Sequence, residues 1–322
     1  MTKTTYNVLI VGAGDIGSGY DNPNSIEVLT HAHAFVKHDG FNLIGFAETN
    51  NGVALNAAKK WSTSTFTSIK DAFSRNEIDI VSVAAPDKYH FEILKEIATF
   101  KPKFVLAEKP LTNTIDEARE ILSIYNSKKI PALVNYKRRF IPEILNLKEK
   151  LDDKYFGDFI FGTSYYGKGL NHNGSHLIDL LLYLLDNKWD NIEILNHIID
   201  FDKDDPSYSL ILSDLNKNSL LIKAIDCRHF STFEVDLIFK KGRIRITELG
   251  LEIEEYSVKK NEIFPSFNTL QKTKTEKTQL NSSLLFTVNQ IYNHLLKGNK
   301  IACSFEESLK IMEFINKIKS RI

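Results

Sequence analysis

The stretch Asn7-Val8-Leu9-Ile10-Val11-Gly12-Ala13-Gly14-Asp15-Ile16-Gly17 decides the fold. Val8 to Val11 is apolar with no polar alternation, the pattern of a strand buried on both faces of a parallel sheet. The glycines then follow in the order Gly-x-Gly-x-x-Gly. In that spacing Gly12 permits a tight turn, Gly14 lets the backbone approach a pyrophosphate, and Gly17 allows strand and helix to pack closely. N–H groups left free at such a turn are aimed at an anion. Asp15 and Ile16, inside the motif, join the three glycines as candidate cofactor contacts. Glycine-rich turns after strands are common, so the stretch gains its meaning from what surrounds it.

Downstream, apolar runs alternate with helical patterns. Residues 41–46 read as a second strand ending at Ala47-Glu48, and 78–84 as a third closing on Ala85-Pro86. A fourth, Phe104-Val105-Leu106-Ala107, runs into Glu108-Lys109-Pro110, and a fifth spans 131–135. Helices are predicted near 53–60, 68–75, 89–99 and 114–127. Between Gly17 and the first long helix, predicted over 30–38, lies Ser18-Gly19-Tyr20-Asp21-Asn22-Pro23-Asn24, rich in helix breakers. A short helical turn and a loop are expected there. Alternation with short connections predicts a doubly wound parallel sheet, whose ligands bind beyond the carboxyl ends of the strands. Gly12, Glu48, Pro86 and Lys109 all fall at those ends. An acidic residue ending the second strand is placed to accept hydrogen bonds from an adenosine ribose and to repel a 2′-phosphate, which favours NAD over NADP. A solvated strand-end carboxylate is the alternative reading of Glu48.

Beyond Asn135 the texture changes. Helices are predicted at 141–151 and 174–186 and strands at 159–166, 192–201, 208–213, 219–225, 233–240, 243–248 and 251–257. Lys241-Gly242 and Leu249-Gly250 mark tight turns, so the last three strands are expected to run antiparallel. The polar stretch 259–280 reads as an extended loop, and helices at 282–297 and 305–320 close the chain. The organisation expected is a dinucleotide-binding Rossmann domain over 1–135 and a substrate and oligomerisation domain over 136–322. The second is an α+β domain with a large, mostly antiparallel open sheet, and helix 305–320 is free to pack back on the first. One face of such a sheet needs cover, which points to a homo-oligomer, a dimer or tetramer.

Composition bounds the function. The chain of 322 residues is 43% hydrophobic and 25% charged, with 41 basic and 41 acidic side chains. It therefore carries no global field to attract nucleic acid or an anionic membrane. No apolar run approaches the ~20 residues of a membrane span. A strand begins within seven residues of Met1, which leaves no room for a signal peptide. Cys227 and Cys303 have no metal or redox spacing. A cytoplasmic protein is the expectation.

At Lys109 a family resemblance enters. The chain resembles the Gfo/Idh/MocA family of NAD(P)-dependent oxidoreductases along its whole length. The residues that carry the resemblance are the glycine turn 12–17, Ala85-Pro86 with His90, Glu108-Lys109-Pro110, Asn135-Tyr136-Lys137-Arg138-Arg139-Phe140, and Gly174-Ser175-His176-Leu177-Ile178-Asp179. It implies hydride transfer between a nicotinamide and a sugar, polyol or sugar nucleotide, with Lys109 and His176 acting at the reacting carbon. It also adds Ala85, Pro86, His90, Glu108 and Lys109 to the cofactor site. Two departures stand out. His172 occupies the place where the family carries an aspartate, and the insertion after Gly17 is unlike most members. The segment His172-Asn173-Gly174-Ser175-His176 is similar to relatives in surface-polysaccharide sugar metabolism.

The chemistry fits these residue types. An ammonium at Lys109 would stabilise charge developing on the substrate oxygen, and an imidazole at His176 would exchange its proton. If Asn173 caps the following helix, the helix dipole and Lys109 together keep that imidazole neutral. His172 could relay a proton, hydrogen-bond substrate, or pack. Asp179, one turn on, could orient His176. Tyr165, Tyr166 and Lys168 are candidate substrate contacts at a strand end, and Arg138 and Arg139 have the fork geometry to hold a carboxylate or phosphate. Two other readings remain open. One is a non-catalytic NAD-binding sensor or partner subunit. The other is a metal-dependent hydrolase built on His172 and His176, although no metal site is expected.

Overall fold

Apolar β-branched runs and capped amphipathic segments alternate through the first part of the computed structural model, which describes residues 4–186 and 189–321. They form β1 (Tyr6–Val11), α1 (His31–Lys37), β2 (Phe41–Ala47), α2 (Asn51–Trp61), β3 (Ser64–Phe66), α3 (Ile69–Arg75), β4 (Ile80–Val83), α4 (His90–Phe100), β5 (Phe104–Ala107), α5 (Ile115–Lys128) and β6 (Ala132–Val134). The sheet order is β3-β2-β1-β4-β5-β6, with every pair parallel. This is the doubly wound sheet that the alternation predicts. Its order reverses between β1 and β4, the switch point where such sheets open a crevice. β3, three residues long, is too short to show a pattern in the sequence.

Helix starts are set by side chains. Asn50 and Ser68 accept backbone N–H groups at the starts of α2 and α3, and Thr114 with Glu117 forms a reciprocal capping box on α5. The insertion after the glycines has its own organiser. A single π-helical turn, Asp15–Gly19, leads to the buried Asp21. The Asp21 carboxylate accepts the N–H groups of Leu29 (2.6 Å) and Thr30 (3.2 Å), the Thr30 hydroxyl, and faces His33 Nδ1 at 2.8 Å. Thr30 in turn caps α1 by accepting from the His33 N–H. A loop full of helix breakers thus ends in a fixed helix start.

The chain continues through α6 (Pro142–Asp152), β7 (Phe159–Tyr166), α7 (Ser175–Leu185), β8 (Asn191–Asp202), β9 (Asp205–Ser213), β10 (Ser219–Ala224), β11 (Phe233–Phe239), β12 (Gly242–Thr247), β13 (Glu252–Lys260), β14 (Asn268–Lys277), α8 (Ser283–Lys297) and α9 (Phe305–Lys319). The second sheet has the order β14-β13-β12-β11-β7-β10-β9-β8 and is antiparallel except where β7 pairs with β10. Burial alternates strictly along β10, β11 and β12, so one face is packed and the other is largely open. The open face carries ion pairs across strands, Asp236 with Arg243 and Arg245, and Glu254 with Arg245 and Lys272.

One expectation fails here. The stretch 259–280, read as a loop, contains β14, paired antiparallel with β13 along its length. β14 is an edge strand with both faces exposed, so it has no apolar alternation to betray it. Backbone pairing and the ion pairs of Lys272 with Glu254 and of Lys277 with Glu248 and Glu252 hold it instead.

Contacts divide the chain into two compact units. One runs to Phe140 and is rejoined by Asn281–Met312; the other is Ile141–Leu280 with the segment from Glu313 onward. In the first unit α8 packs against α1, Tyr292 Oη donates to the Thr4 carbonyl at 3.2 Å, and its ring fills the space beside Gly40. Among the described residues, no helix is long and apolar enough to cross a membrane.

Candidate active site

In the first unit the candidate residues gather at the carboxyl edge of the parallel sheet. Gly12 has φ +93°, and a Cβ there would lie 2.7 Å from the Ala85 nitrogen. A Cβ on Gly17 would lie 2.4 Å from the Gly12 oxygen, so the turn and the end of β4 close on each other only with glycine at both places. Gly14 is different: a Cβ there meets nothing within 4 Å. Open space therefore lies against its backbone, at a helical turn whose first N–H groups have no intrahelical acceptor. That cradle fits a pyrophosphate.

Glu48 reaches back to the same turn. Its Oε2 accepts the Ala13 N–H at 3.0 Å and its Oε1 the Asn50 N–H at 2.9 Å, which fixes a carboxylate at the end of β2 beside the glycines. His90 plays another part than the one expected. It is buried, with Nδ1 2.7 Å from the Pro110 carbonyl and Nε2 3.0 Å from the Ala85 carbonyl. Its ring ties the turn after β4 to the cis Lys109-Pro110 turn after β5 and supports the cofactor edge from behind.

Glu108 also faces inward. Its Oε1 lies 2.9 Å from His31 Nε2 and accepts from Asn135 Nδ2 at 2.7 Å, and its side chain is 15% exposed. His31 Nδ1 meets Ser82 Oγ at 2.7 Å, and Asn135 Oδ1 accepts from the Thr287 hydroxyl at 3.3 Å. Burial pushes the Glu108 carboxyl up, but His31, Asn135 and the nearby Lys109 charge outweigh it and hold it below the ordinary range. The network braces the strand end that carries Lys109.

Sequence reasoning passed over Lys137. It opens the turn after β6, beside the turn after β5 that holds Lys109, and is half-buried. Burial first, then the charges of Arg138 and Lys109 against that of Glu108, bring its ammonium down to about 8. Arg138 and Arg139 are buried, and Arg139 Nη1 lies 3.6 Å from Glu307.

The second unit is described by itself: its candidate residues gather at the turn after β7. Helical backbone starts at Gly169 as a π-turn, Gly169–Gly174, and passes directly into α7. Asn173 therefore does not cap α7; its Nδ2 donates to the Gly167 carbonyl at 3.1 Å. The positive end of the helical run lies at Gly169 to His172, where it is already met. Gly169 N–H donates to Ser207 Oγ at 2.8 Å, and the Asn171 and His172 N–H groups donate to the Asp205 carboxylate at 2.8 and 2.9 Å. His176 thus sits inside a helical run whose first N–H groups donate to Asp205, rather than at a helix start capped by Asn173. Asp179 is buried one turn on.

His172 is exposed, with its ring 4.9 Å from that of Phe201. Lys168 Nζ lies over the same ring at 4.9 Å. Strand alternation sends Tyr165 and Tyr166, both candidate substrate contacts at one strand end, to opposite faces, so they cannot line one cleft together. Tyr166 is 1% exposed, packs beside Gly174, donates its hydroxyl hydrogen to the Tyr208 carbonyl and accepts the Tyr208 N–H. Burial raises that phenol far above its usual range. Tyr165, 38% exposed, lies on the opposite face of the sheet. Among the described residues, no group of three His, Cys, Asp or Glu side chains is placed to hold a metal ion.

Residues 6–136 match the model of the GFO_IDH_MocA family, an oxidoreductase family with an NAD-binding Rossmann fold. The nucleotide-binding part of this chain is similar to that of the Gfo/Idh/MocA family. Inositol 2-dehydrogenase of Corynebacterium glutamicum strain R is 27% identical over 169 residues, which cover 52% of this chain and 45% of that enzyme. The chain thus aligns with less than half the length of this curated relative. Similarity of fold extends further. The WlbA dehydrogenase of Bordetella pertussis, solved with NADH and UDP-GlcNAcA, superposes with a TM-score of 0.78 at 15% identity over 99% of this chain and 96% of that one. An Agrobacterium radiobacter oxidoreductase, solved with NAD+, L-tartaric acid and magnesium, gives a TM-score of 0.77 at 14% identity over 98% and 96%. At these identities the two structures show the shared two-sheet fold.

Proposed function

We propose that this chain is an NAD-preferring oxidoreductase that moves a hydride between a nicotinamide and a carbinol carbon of a sugar, polyol or sugar nucleotide. The observation that carries the reading is the shared edge: the open cradle at Gly14, the Glu48 carboxylate and Lys109 all lie at the carboxyl ends of one parallel sheet. The backbone of the 12–17 turn would hold the pyrophosphate. Glu48, fixed by the Ala13 N–H, would accept from a ribose diol and repel a 2′-phosphate. A bound nicotinamide supplies the hydride acceptor or donor.

The chain's own residues do the rest. Lys109 would donate to the substrate oxygen and stabilise its developing charge, while the inward Glu108 and its partners fix the strand end from which it projects. His176 would take or return the hydroxyl proton, with Asp179 orienting the ring. Lys168 and the Arg138-Arg139 pair belong to the substrate side of this proposal. Sugar-nucleotide substrates of surface-polysaccharide metabolism suit it, by similarity to the relatives with a comparable His-Asn-Gly-Ser-His segment. A homo-oligomer, built on the open face of the second sheet, belongs to the same proposal.

Fluorescence titration with NADH and NADPH tests the cofactor, with NADH expected to bind at least tenfold tighter. Turnover of polyols and sugar nucleotides tests the chemistry, with product followed alongside NADH so that transient oxidation is also seen. A second reading is a sensor that binds NAD without turnover, kept open by His172 at the place where the resemblance expects an aspartate. NADH binding with no turnover of any such substrate would select it.

A further inference from the structure

The insertion after the glycine turn is fastened to both of the helices that reach Glu108. At its front, the Lys60 ammonium donates to the carbonyls of Ser18 (2.9 Å), Gly19 (3.2 Å) and Asp21 (3.3 Å), and the Trp61 indole donates to Ser18. The Asp21 carboxylate then gathers Leu29, Thr30 and His33, with the side chains of Asp21 and His33 each 2% exposed. The first turn of α1 follows at once. His33 in that turn faces back to Asp21, while His31, two residues earlier and wholly buried, faces Glu108. One helical turn therefore carries two imidazoles, each set against a different carboxylate, one in the insertion and one beside Lys109. A second route reaches the same place. The Val28 N–H donates to Ser282 Oγ at 3.3 Å and Asn281 Nδ2 donates to Glu27 Oε1 at 2.7 Å, which ties the insertion to the start of α8. One turn along α8, the Thr287 hydroxyl donates to Asn135, whose amide donates to Glu108. Glu108 Oε1 thus meets His31 by way of α1 and Asn135 by way of α8.

We propose that the insertion is a positioning element for the reaction, and that His31 is the positioning residue through which it sets the turn Glu108-Lys109-Pro110. This rests on the oxidoreductase reading and gives a task to a segment that departs from the family pattern. His31 and Asn135 hold the Glu108 carboxyl ionised, so Oε1 accepts and His31 Nε2 carries the hydrogen between them. Glu108 adjoins Lys109 in the chain, so pinning one of its oxygens with two donors fixes the backbone from which the lysine starts. An ammonium that meets charge on a substrate oxygen works only from a fixed place, and misplacement by about 1 Å can cost about 10²-fold in rate.

A route drawn through hydrogen bonds needs a measured coupling. His31→Gln keeps a donor near the place of Nε2, whereas the shorter amide of His31→Asn would reach Ser82 but not Glu108. With a substrate that turns over, His31→Asn is expected to lower kcat tenfold or more with KM and the NADH Kd within threefold, and His31→Gln to keep at least a third of the wild-type kcat. Asp21→Ala should lower kcat threefold or more in the same way, although it lies in the insertion and not beside Lys109. Proton NMR supplies a readout that needs no turnover. The His31 imidazole proton shared with Glu108 is expected far downfield, identified by its loss in His31→Gln, and its exchange with water should quicken at least tenfold in Asp21→Ala. Wild-type kcat in His31→Asn, no rescue by His31→Gln, a loss that falls on KM, or a His31 proton indifferent to Asp21→Ala would overturn the proposal. Failure of NADH to bind, or of every substrate to turn over, would instead sink the oxidoreductase reading, and the proton signal still decides whether the insertion sets His31.

Discussion

Removing the Lys109 ammonium should separate chemistry from binding. Lys109→Ala is expected to lower kcat by about 10²–10³-fold, the usual effect of losing one group that stabilises developing charge. The fall in kcat is expected to exceed by far any rise in the NADH Kd, since the charge that the ammonium meets develops on the substrate oxygen during reaction. Lys137 makes a prediction about stability with a definite sign. Its proton leaves the native protein at about 8, against 10.5 for an ordinary lysine. Between those values the unfolded chain holds more protons, so stability rises with pH across the window and the full cost is felt below it. Lys137→Met is therefore expected to be more stable than wild type at pH 7, by about 1–3 kcal/mol after allowance for screening, with the gain vanishing above pH 10.5. Urea titrations at several pH values would measure it. The glycines, Glu48 and Lys109 were legible because their spacing reflects backbone geometry. Lys137 was not, because burial and crowding of charge arise only when separate strand ends are brought together. The two tyrosines were misread for want of a simpler rule, that neighbours on a strand face opposite ways.

At the scale of elements, the insertion after the glycine turn depends on one carboxylate. Asp21→Ala would leave the N–H groups of Leu29 and Thr30, the Thr30 hydroxyl and His33 without their shared acceptor. The expected loss is about 2–4 kcal/mol, since each buried donor left unmet costs about 1–3 kcal/mol and some regain water. Amide exchange should localise the damage to residues 18–35. The start of α1 was anticipated within a residue, because helix breakers followed by Thr30 and an apolar run give a clear boundary. The start of the helical run before α7 was not. Its first turn is held by Asp205, a residue more than 30 positions downstream, and nothing local in the sequence announces that. β14 was missed for a related reason: an exposed edge strand is specified by its neighbour rather than by its own hydrophobicity.

For the whole molecule, the open face of the second sheet bears directly on assembly. Phe161 and Tyr165 stand exposed on it among the cross-strand ion pairs. Sedimentation equilibrium is expected to give a dimer or tetramer, and Phe161→Glu should shift it toward monomer with NADH binding intact. A wild type that sediments as a monomer would remove the oligomer from the proposal. Both sheets, apart from the edge strands β3 and β14, were legible from apolar patterning, turn signals and strand length. A return of helix 305–320 to the first unit was allowed for, and its part up to Met312 does return; the return of α8 was not foreseen, because it rests on surfaces that only the folded sheet creates.

That return has a bearing on how the protein is made. Translation delivers the glycine turn and its six parallel strands first, yet the helical cover of α8 leaves the ribosome only after the second sheet has been synthesised. The nascent nucleotide-binding unit must wait, its flank uncapped, while the second sheet is made, and the second unit waits longer still for its own segment from Glu313 onward. The strands of the first sheet thus gain their last cover only after the whole second sheet has been made.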